Sequence, residues 1–223
     1  MILNFKGSDE GLNSSVYAEL RKRIVTGHIS PSHELSTRGL AGELGVSQTP
    51  VRDALSRLSA EGAVSIRSKR RVRVPEMTRE RFEDLLRCRL LLEPEAAALA
   101  VPFLTPADVT KLREIDATLA AAIKDGDAGT YMQANYDFHF TLYRAQPQKT
   151  LTQLIETLWL QFGPHMRMLY DRVSHAELND RHQTAIAAIE AKDAAALRDA
   201  IALDISDGMG MLGRTDFAAN SAR

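Results

Sequence analysis

The chain holds a single cysteine, Cys88, among its 223 residues. That excludes an internal disulfide framework and fits a reducing, cytoplasmic setting. Cys88 lies in a strongly apolar helical stretch, where a thiol reads as a packed, inert group and not as a nucleophile. There is no run of 18 apolar residues to span a membrane, and the opening MILNFKGSDEGLNSS lacks the basic, apolar and small-residue sections of a secretory signal. Neither a membrane partner nor export is expected. The motifs HExxH, GxSxG and a glycine-rich phosphate loop are all missing, so no common catalytic signature points to an enzyme. Net charge is also scarce, at −1 overall, a poor sign for a nucleic-acid partner until the chain is divided. Residues 1–75 carry 12 Lys and Arg against 7 Asp and Glu, giving +5, whereas residues 76–223 carry 16 against 22, giving −6. Such asymmetry is expected when one part meets a polyanion and the other does not.

What is present is concentrated in Ser36 to Gly62, STRGLAGELGVSQTPVRDALSRLSAEG. Leu40, Ala41 and Leu44 give one helical apolar face, and Val51, Ala54, Leu55 and Leu58 give a second, either side of a Gly45-Val46-Ser47 corner. Ser36 suits the N-cap of the first helix and Gly45 the left-handed residue that ends it. Ser47 suits the N-cap of the second, with Pro50 in its first turn. This is a helix-turn-helix pattern, although two amphipathic helices about a glycine also occur in all-α proteins that bind no DNA. The following runs, Val64 to Arg67 and Val72 to Val74, alternate around Ser68-Lys69-Arg70-Arg71 and predict a hairpin with a basic tip. A basic hairpin beside a second helix with a polar N-terminal end is a winged helix placed to meet a phosphate backbone.

The stretch GHISPSHELSTRGLAGELGVSQTPVRDALSRLSAEGAV resembles the winged-helix domain of GntR-type bacterial regulators. Two departures affect recognition. Gln48 stands where family members commonly have Arg, and Arg71 stands at a wing position usually held by Gly. The resemblance implies DNA contacts from Arg38, Ser47, Gln48, Thr49, Arg52, Lys69, Arg70 and Arg71.

Around this motif, residues 1–13 are polar and read as irregular. Val16, Tyr17, Leu20 and Ile24 recur at helical spacing from Ser14 or Ser15 to Gly27. Arg21, Lys22 and Arg23 are either a solvated face or phosphate contacts. After Pro75 no strand signal remains. Helices are predicted over Thr78 to Val101, with Pro94 kinking or splitting the first; from Thr105-Pro106 to Lys124; from Thr130 to Ala145 after a turn at 125–129; and from Lys149 to Arg172, bent at Gly163-Pro164. Two more lie near 178–191 and 193–212. The fold class is therefore mainly α, with a winged helix-turn-helix domain at 1–75 and an all-α bundle of six or seven helices at 78–215. RCRLLLEPEAAALA, NYDFHFTLYRA and RHQTAIAAIEAKDAAALRDAI resemble the ligand-binding FCD domain of the FadR-type branch of the family.

Asn135 and His139 are four residues apart and share a helix face, and His182 and Asp204 lie on the last two helices, so a bundle can bring all four to one point. The FCD resemblance implies a divalent metal held by Asp, His, His and His. Asn135 matches the first, His139 and His182 the next two, and Asp204 the last. Imidazole with carboxylate and amide oxygen suits zinc, nickel, manganese or iron. The competing reading is a hydrogen-bonded core histidine in a pocket that has lost its ion. His165 and His175 are lesser candidates. The resemblance also implies an organic-acid effector, with Arg89 and Arg167 as the cations to receive it. A salt bridge from Arg89 to Glu93 is the structural alternative for the first.

These features lead to a cytoplasmic transcription regulator, a homodimer binding double-stranded DNA at an inverted repeat under control of a small-molecule effector. Two alternatives belong to other classes: an architectural DNA binder whose acidic half only dimerises, and a small metallohydrolase.

Overall fold

The structure, a computed structural model of the chain, describes residues 9–31, 34–68, 71–170 and 181–220. The density of contacts divides the chain into two units. One is Met1–Glu76 together with Trp159–His165; the other is Met77–Leu158 with Met166–Arg223.

The first unit contains α1 (Asp9–Val25), α2 (Thr37–Leu44), α3 (Gln48–Ala60), β1 (Ser65–Ser68) and β2 (Arg71–Arg73). Val16, Leu20 and Ile24 of α1 are fully buried, as are Val51 and Leu58 of α3. Burying such a side chain stabilises the fold by about 1.5–3 kcal/mol, so this apolar seam, and not local propensity, fixes where α3 lies. Helix α1 begins at Asp9, several residues ahead of the predicted start. Gly11 costs only about 1 kcal/mol inside a helix, and the Ser15 hydroxyl donates back to its carbonyl at 2.8 Å.

The corner between α2 and α3 follows the sequence closely, with one correction. Ser36 caps α2, its side-chain oxygen accepting from Gly39 N at 2.9 Å, and Gly45 ends it with φ 67°. Ser47 occupies the N-cap position of α3 in extended conformation but makes no side-chain capping bond. The two strands pair antiparallel as expected, Ser65 opposite Arg73 and Ile66 opposite Val72. Unexpectedly, Leu35 joins them: its N–H donates to Val72 O at 2.7 Å and its carbonyl accepts from Val72 N at 3.0 Å.

The second unit is built, among the described residues, from α4 (Arg79–Ala100), a short 3-10 turn at Val101–Phe103, α5 (Pro106–Asp125), α6 (Ala128–Ala145), α7 (Lys149–Tyr170), α8 (His182–Glu190) and α9 (Ala194–Asn220). Part of α7, Trp159–His165, belongs to the first unit. Helix α4 packs along α9 and against α6, α5 along α6, and α8 against both α5 and α9. Pro94 does not split α4, which runs unbroken through it. The lost N–H costs about 3 kcal/mol, offset by burial of the small residues Ala96, Ala97 and Ala100 that follow. Pro164 likewise lies inside α7.

Helix α5 opens on a full capping box between Thr105 and Asp108. The turn expected at 125–129 is shorter, because Asp127 caps α6 by accepting from Thr130 N at 3.1 Å, which draws Ala128 and Gly129 into the helix. Helix α8 runs from His182, residues 178–180 of the predicted helix lying outside the described residues, and α9 continues to Asn220, past its predicted end at 212. Gly208, Gly210 and Gly213 weaken α9 by about 1 kcal/mol each without stopping it.

Candidate functional site

Two groups of candidate residues are held by these elements. In the first unit, Gln48, Thr49 and Arg52 occupy the N-terminal half of α3 and are exposed, as are Ser47 before it and Arg38 on α2. The buried Pro50, Val51, Ala54 and Leu55 anchor the opposite side of the same helix. Arg71 is exposed on β2, while Lys69 and Arg70 lie outside the described residues. A residue that sequence reasoning missed is Glu34, which meets Arg73 at 3.0 Å and Arg71 at 3.7 Å. Its signal was the same basic run, which an acid across the hairpin would complement.

In the second unit, His139 of α6, His182 of α8 and Asp204 of α9 converge, and their ligand atoms all lie within 4.8 Å of one another. His139 and His182 are buried. Asn135 is also buried, one turn before His139 on α6. His139 Nε2 lies 3.2 Å from Asp204 Oδ2, and Asp204 Oδ1 accepts from Arg181 N at 3.0 Å. Burial pushes the Asp204 carboxyl up, but when the rings are protonated the hydrogen bond from His139, the charge of both rings and the Arg181 N–H outweigh it, leaving the group at about 2.

The surroundings decide which ring nitrogen of His139 faces inward. The Tyr143 hydroxyl donates to Glu93 Oε2 at 2.9 Å, which uses its one proton. Its oxygen is therefore an acceptor toward His139 Nδ1, 3.0 Å away. A neutral His139 then carries Nδ1–H and turns the Nε2 lone pair toward the carboxylate of Asp204. Two lone pairs at that distance call for a positive charge between them, a proton or a metal ion. The donor types suit the ion, but two atoms bound to one tetrahedral zinc-sized cation at about 2.1 Å stand about 3.4 Å apart, so the set, now within 4.8 Å, would draw in by up to roughly 1.4 Å to hold it.

Arg89 makes the salt bridge to Glu93 that was its structural alternative. It is buried in α4 against Glu93, with Nε 2.5 Å from Oε1 and Nη2 3.2 Å from Oε2. Burial works against its charge and Glu93 more than restores it, so its pKa lies above the ordinary guanidinium value. Burial first, then the Glu93 charge, raises the Tyr143 hydroxyl well above its usual range. Arg89, Glu93, Tyr143 and His139 thus form one relay. Arg167 is half-buried on α7. His165 is buried on α7, and His175 lies outside the described residues.

Sequence reasoning also missed Asp116 of α5, whose Oδ1 lies 3.3 Å from His182 Nδ1. Its signal was legible: Leu112, Asp116 and Leu119 fall on one helical stripe, and all three are buried. An acid in an apolar stripe requires a partner. The close contact with His182 holds the Asp116 carboxyl below its usual range against the opposing effect of burial.

Both halves of the chain match known families. Residues 12–74 match the gntR family of bacterial regulatory proteins, and residues 84–207 match the FCD domain. The chain belongs to the GntR family and carries an FCD domain. It is 34% identical over 194 residues to the HTH-type transcriptional regulator McbR of Escherichia coli, covering 86% of this chain and 88% of that one. It is 30% identical over 199 residues to the gluconate operon transcriptional repressor of Bacillus subtilis, covering 85% and 80%. A solved structure of E. coli McbR/YncC superposes with a TM-score of 0.85 at 32% identity, covering 91% of this chain and 97% of that one. The family and these relatives are transcriptional regulators, not enzymes, so the metallohydrolase alternative is set aside. The chain is a DNA-binding transcriptional regulator controlled by a small-molecule effector, the arrangement expected of the FadR-type branch. Among the described residues no helix is long and apolar enough to cross a membrane.

Proposed function

We propose that this GntR-family chain works in the cytoplasm as a homodimer, reads an inverted-repeat operator, and senses a small organic acid through a divalent metal held in its FCD domain. The observation that carries the reading is the convergence of His139, His182 and Asp204 from three helices in a chain that also bears a winged helix. Nitrogen and carboxylate donors suit zinc, nickel, manganese or iron. Asn135, one turn from His139, supplies the fourth donor. A divalent ion bound there offers a carboxylate ligand a Lewis-acidic partner. Arg167 is the cation assigned to the effector's far end. Arg89 is committed to Glu93, and its part is to hold the relay behind His139.

On DNA, each protomer inserts the N-terminal end of α3 into the major groove, with half-sites about one helical turn (~34 Å) apart. Ser47, Gln48, Thr49, Arg52 and Arg38 make the base and phosphate contacts, and Lys69, Arg70 and Arg71 follow the backbone from the wing. Effector binding shifts the chain between two states of different operator affinity.

The test is a thermal-shift screen of small carboxylic acids with and without EDTA, paired with elemental analysis and operator retardation. Metal in the purified chain, and an acid whose stabilisation EDTA abolishes, are the expected results. A chain that takes up no divalent metal, or an acid effect untouched by EDTA, overturns the metal-borne reading. No stabilising acid at all favours the architectural alternative.

A further inference from the structure

We propose that Asp116 is a positioning residue for the metal centre. Its Oδ1 lies 3.3 Å from His182 Nδ1, placed to take the Nδ1–H and so to present Nε2 of that ring to the ion. The inference rests on the metal reading above and adds a residue that the ligand pattern of the sequence does not contain.

The geometry leaves His182 little freedom apart from this choice. Its ring stacks on Phe138 with centroids 3.7 Å apart and planes 15° from parallel, which fixes the plane of the imidazole. The remaining freedom is a half-turn about the Cβ–Cγ bond, exchanging the ring edges. Asp116 decides that half-turn, because Oδ1 lies 3.3 Å from Nδ1 and a carboxylate there favours the edge that offers it an N–H. The carboxylate is itself oriented: Oδ2 accepts from Gln183 Nε2. Consecutive residues at the start of α8 thus meet the two oxygens of one side chain on α5. A carboxylate behind a metal-bound histidine fixes its tautomer and makes it a stronger ligand.

His139 is anchored by the same logic with different chemistry, through Tyr143 and Glu93. Each imidazole has one edge assigned to a support and the other left for the shared point. The rings meet edge to face, with centroids 5.4 Å apart and planes at 74°. Two histidines packed only as core residues would not need both supports to select the same inner edge.

The experiment compares the full-length chain with Asp116→Ala and Asp116→Asn. Zn(II) affinity is measured by competition with a chromophoric chelator, and site geometry by the visible spectrum of the Co(II) form. Histidine tautomers in the metal-free chain are read from long-range 1H–15N NMR spectra. We expect His182 to be the Nδ1–H tautomer in the metal-free wild type. We expect Asp116→Ala to bind Zn(II) 10–100-fold more weakly with a changed Co(II) spectrum, and Asp116→Asn to fall between. An Nε2–H tautomer in the wild type overturns the inference. So does a folded Asp116→Ala with wild-type Zn(II) affinity and Co(II) spectrum. Should Asp116→Ala fail to fold, an Asp116→Asn chain with unchanged affinity and spectrum overturns it equally. A wild-type chain that carries the Nδ1–H tautomer yet takes up no Zn(II) removes the metal centre, and this role with it, while leaving the hydrogen bond itself intact.

Discussion

Gln48 sits at the exposed beginning of α3, where the GntR pattern usually places Arg. Gln pairs with the N6 and N7 edge of adenine and Arg with the O6 and N7 edge of guanine, each worth about 1–3 kcal/mol of discrimination. Gln48→Arg should therefore move one operator position from adenine toward guanine in selection from a randomised DNA pool. An unchanged preferred sequence would count against a base contact from this residue. Glu34 acts in the opposite sense. By holding Arg71 and Arg73, it competes with phosphate for the wing cations. Exposed pairs of this kind are worth at most about 1 kcal/mol, so Glu34→Gln should tighten operator binding no more than roughly fivefold and steepen its dependence on salt. Weaker retardation by that variant would show that Glu34 instead orders the wing for binding.

At the scale of the element, the helix ends carry much of the specification. Gly45 closes α2 at φ 67°, a conformation that costs a non-glycine residue about 1 kcal/mol or more, so Gly45→Ala should lower the chemical-denaturation midpoint by a matching amount. Asp127 caps α6, and its bonds to Thr130, the side-chain hydroxyl first and the backbone N–H next, hold its carboxyl below the ordinary value. A depressed carboxyl stabilises the fold at pH above about 4, the ordinary value, and ceases to do so as pH falls through its folded value. The loss of thermal stability in Asp127→Ala should accordingly be full at pH 7 and shrink on acidification. A loss that stayed constant with pH would assign it to packing. These caps were legible because Ser36, Gly45, Thr105 and Pro106 act on neighbours a few residues away. His139, His182 and Asp204, on three separate helices, were readable as candidates through the family pattern. The Leu35 pairing, the partner of Asp116 and the Tyr143–Glu93 bond were not, since each joins elements far apart in sequence. Of the two outcomes expected at Pro94, a kink or a split, the split does not occur, because tertiary burial outweighs its local cost.

For the whole molecule, the proposed metal centre predicts a stability that depends on composition as well as sequence. Its donors come from α6, α8 and α9, so an ion binding only the folded chain raises stability by mass action, by about 2.7 kcal/mol at one hundred times its Kd. Dialysis against EDTA should lower Tm, and adding back Zn(II) should restore it, in the wild type but not in a His139→Ala, Asp204→Asn double variant. Equal melting of both chains in either condition would argue that the histidines are packing residues alone.

Val72 returns both of its main-chain bonds to Leu35, the residue immediately before the Ser36 cap. The basic hairpin is therefore stitched to the doorway of α2. Protection of the Leu35 and Val72 amides against deuterium should persist together and disappear together, because neither bond can open without releasing the other. Fastened in this way, β2 and the Ser36 cap of α2 share one backbone anchor, so a change at either should be felt at the other.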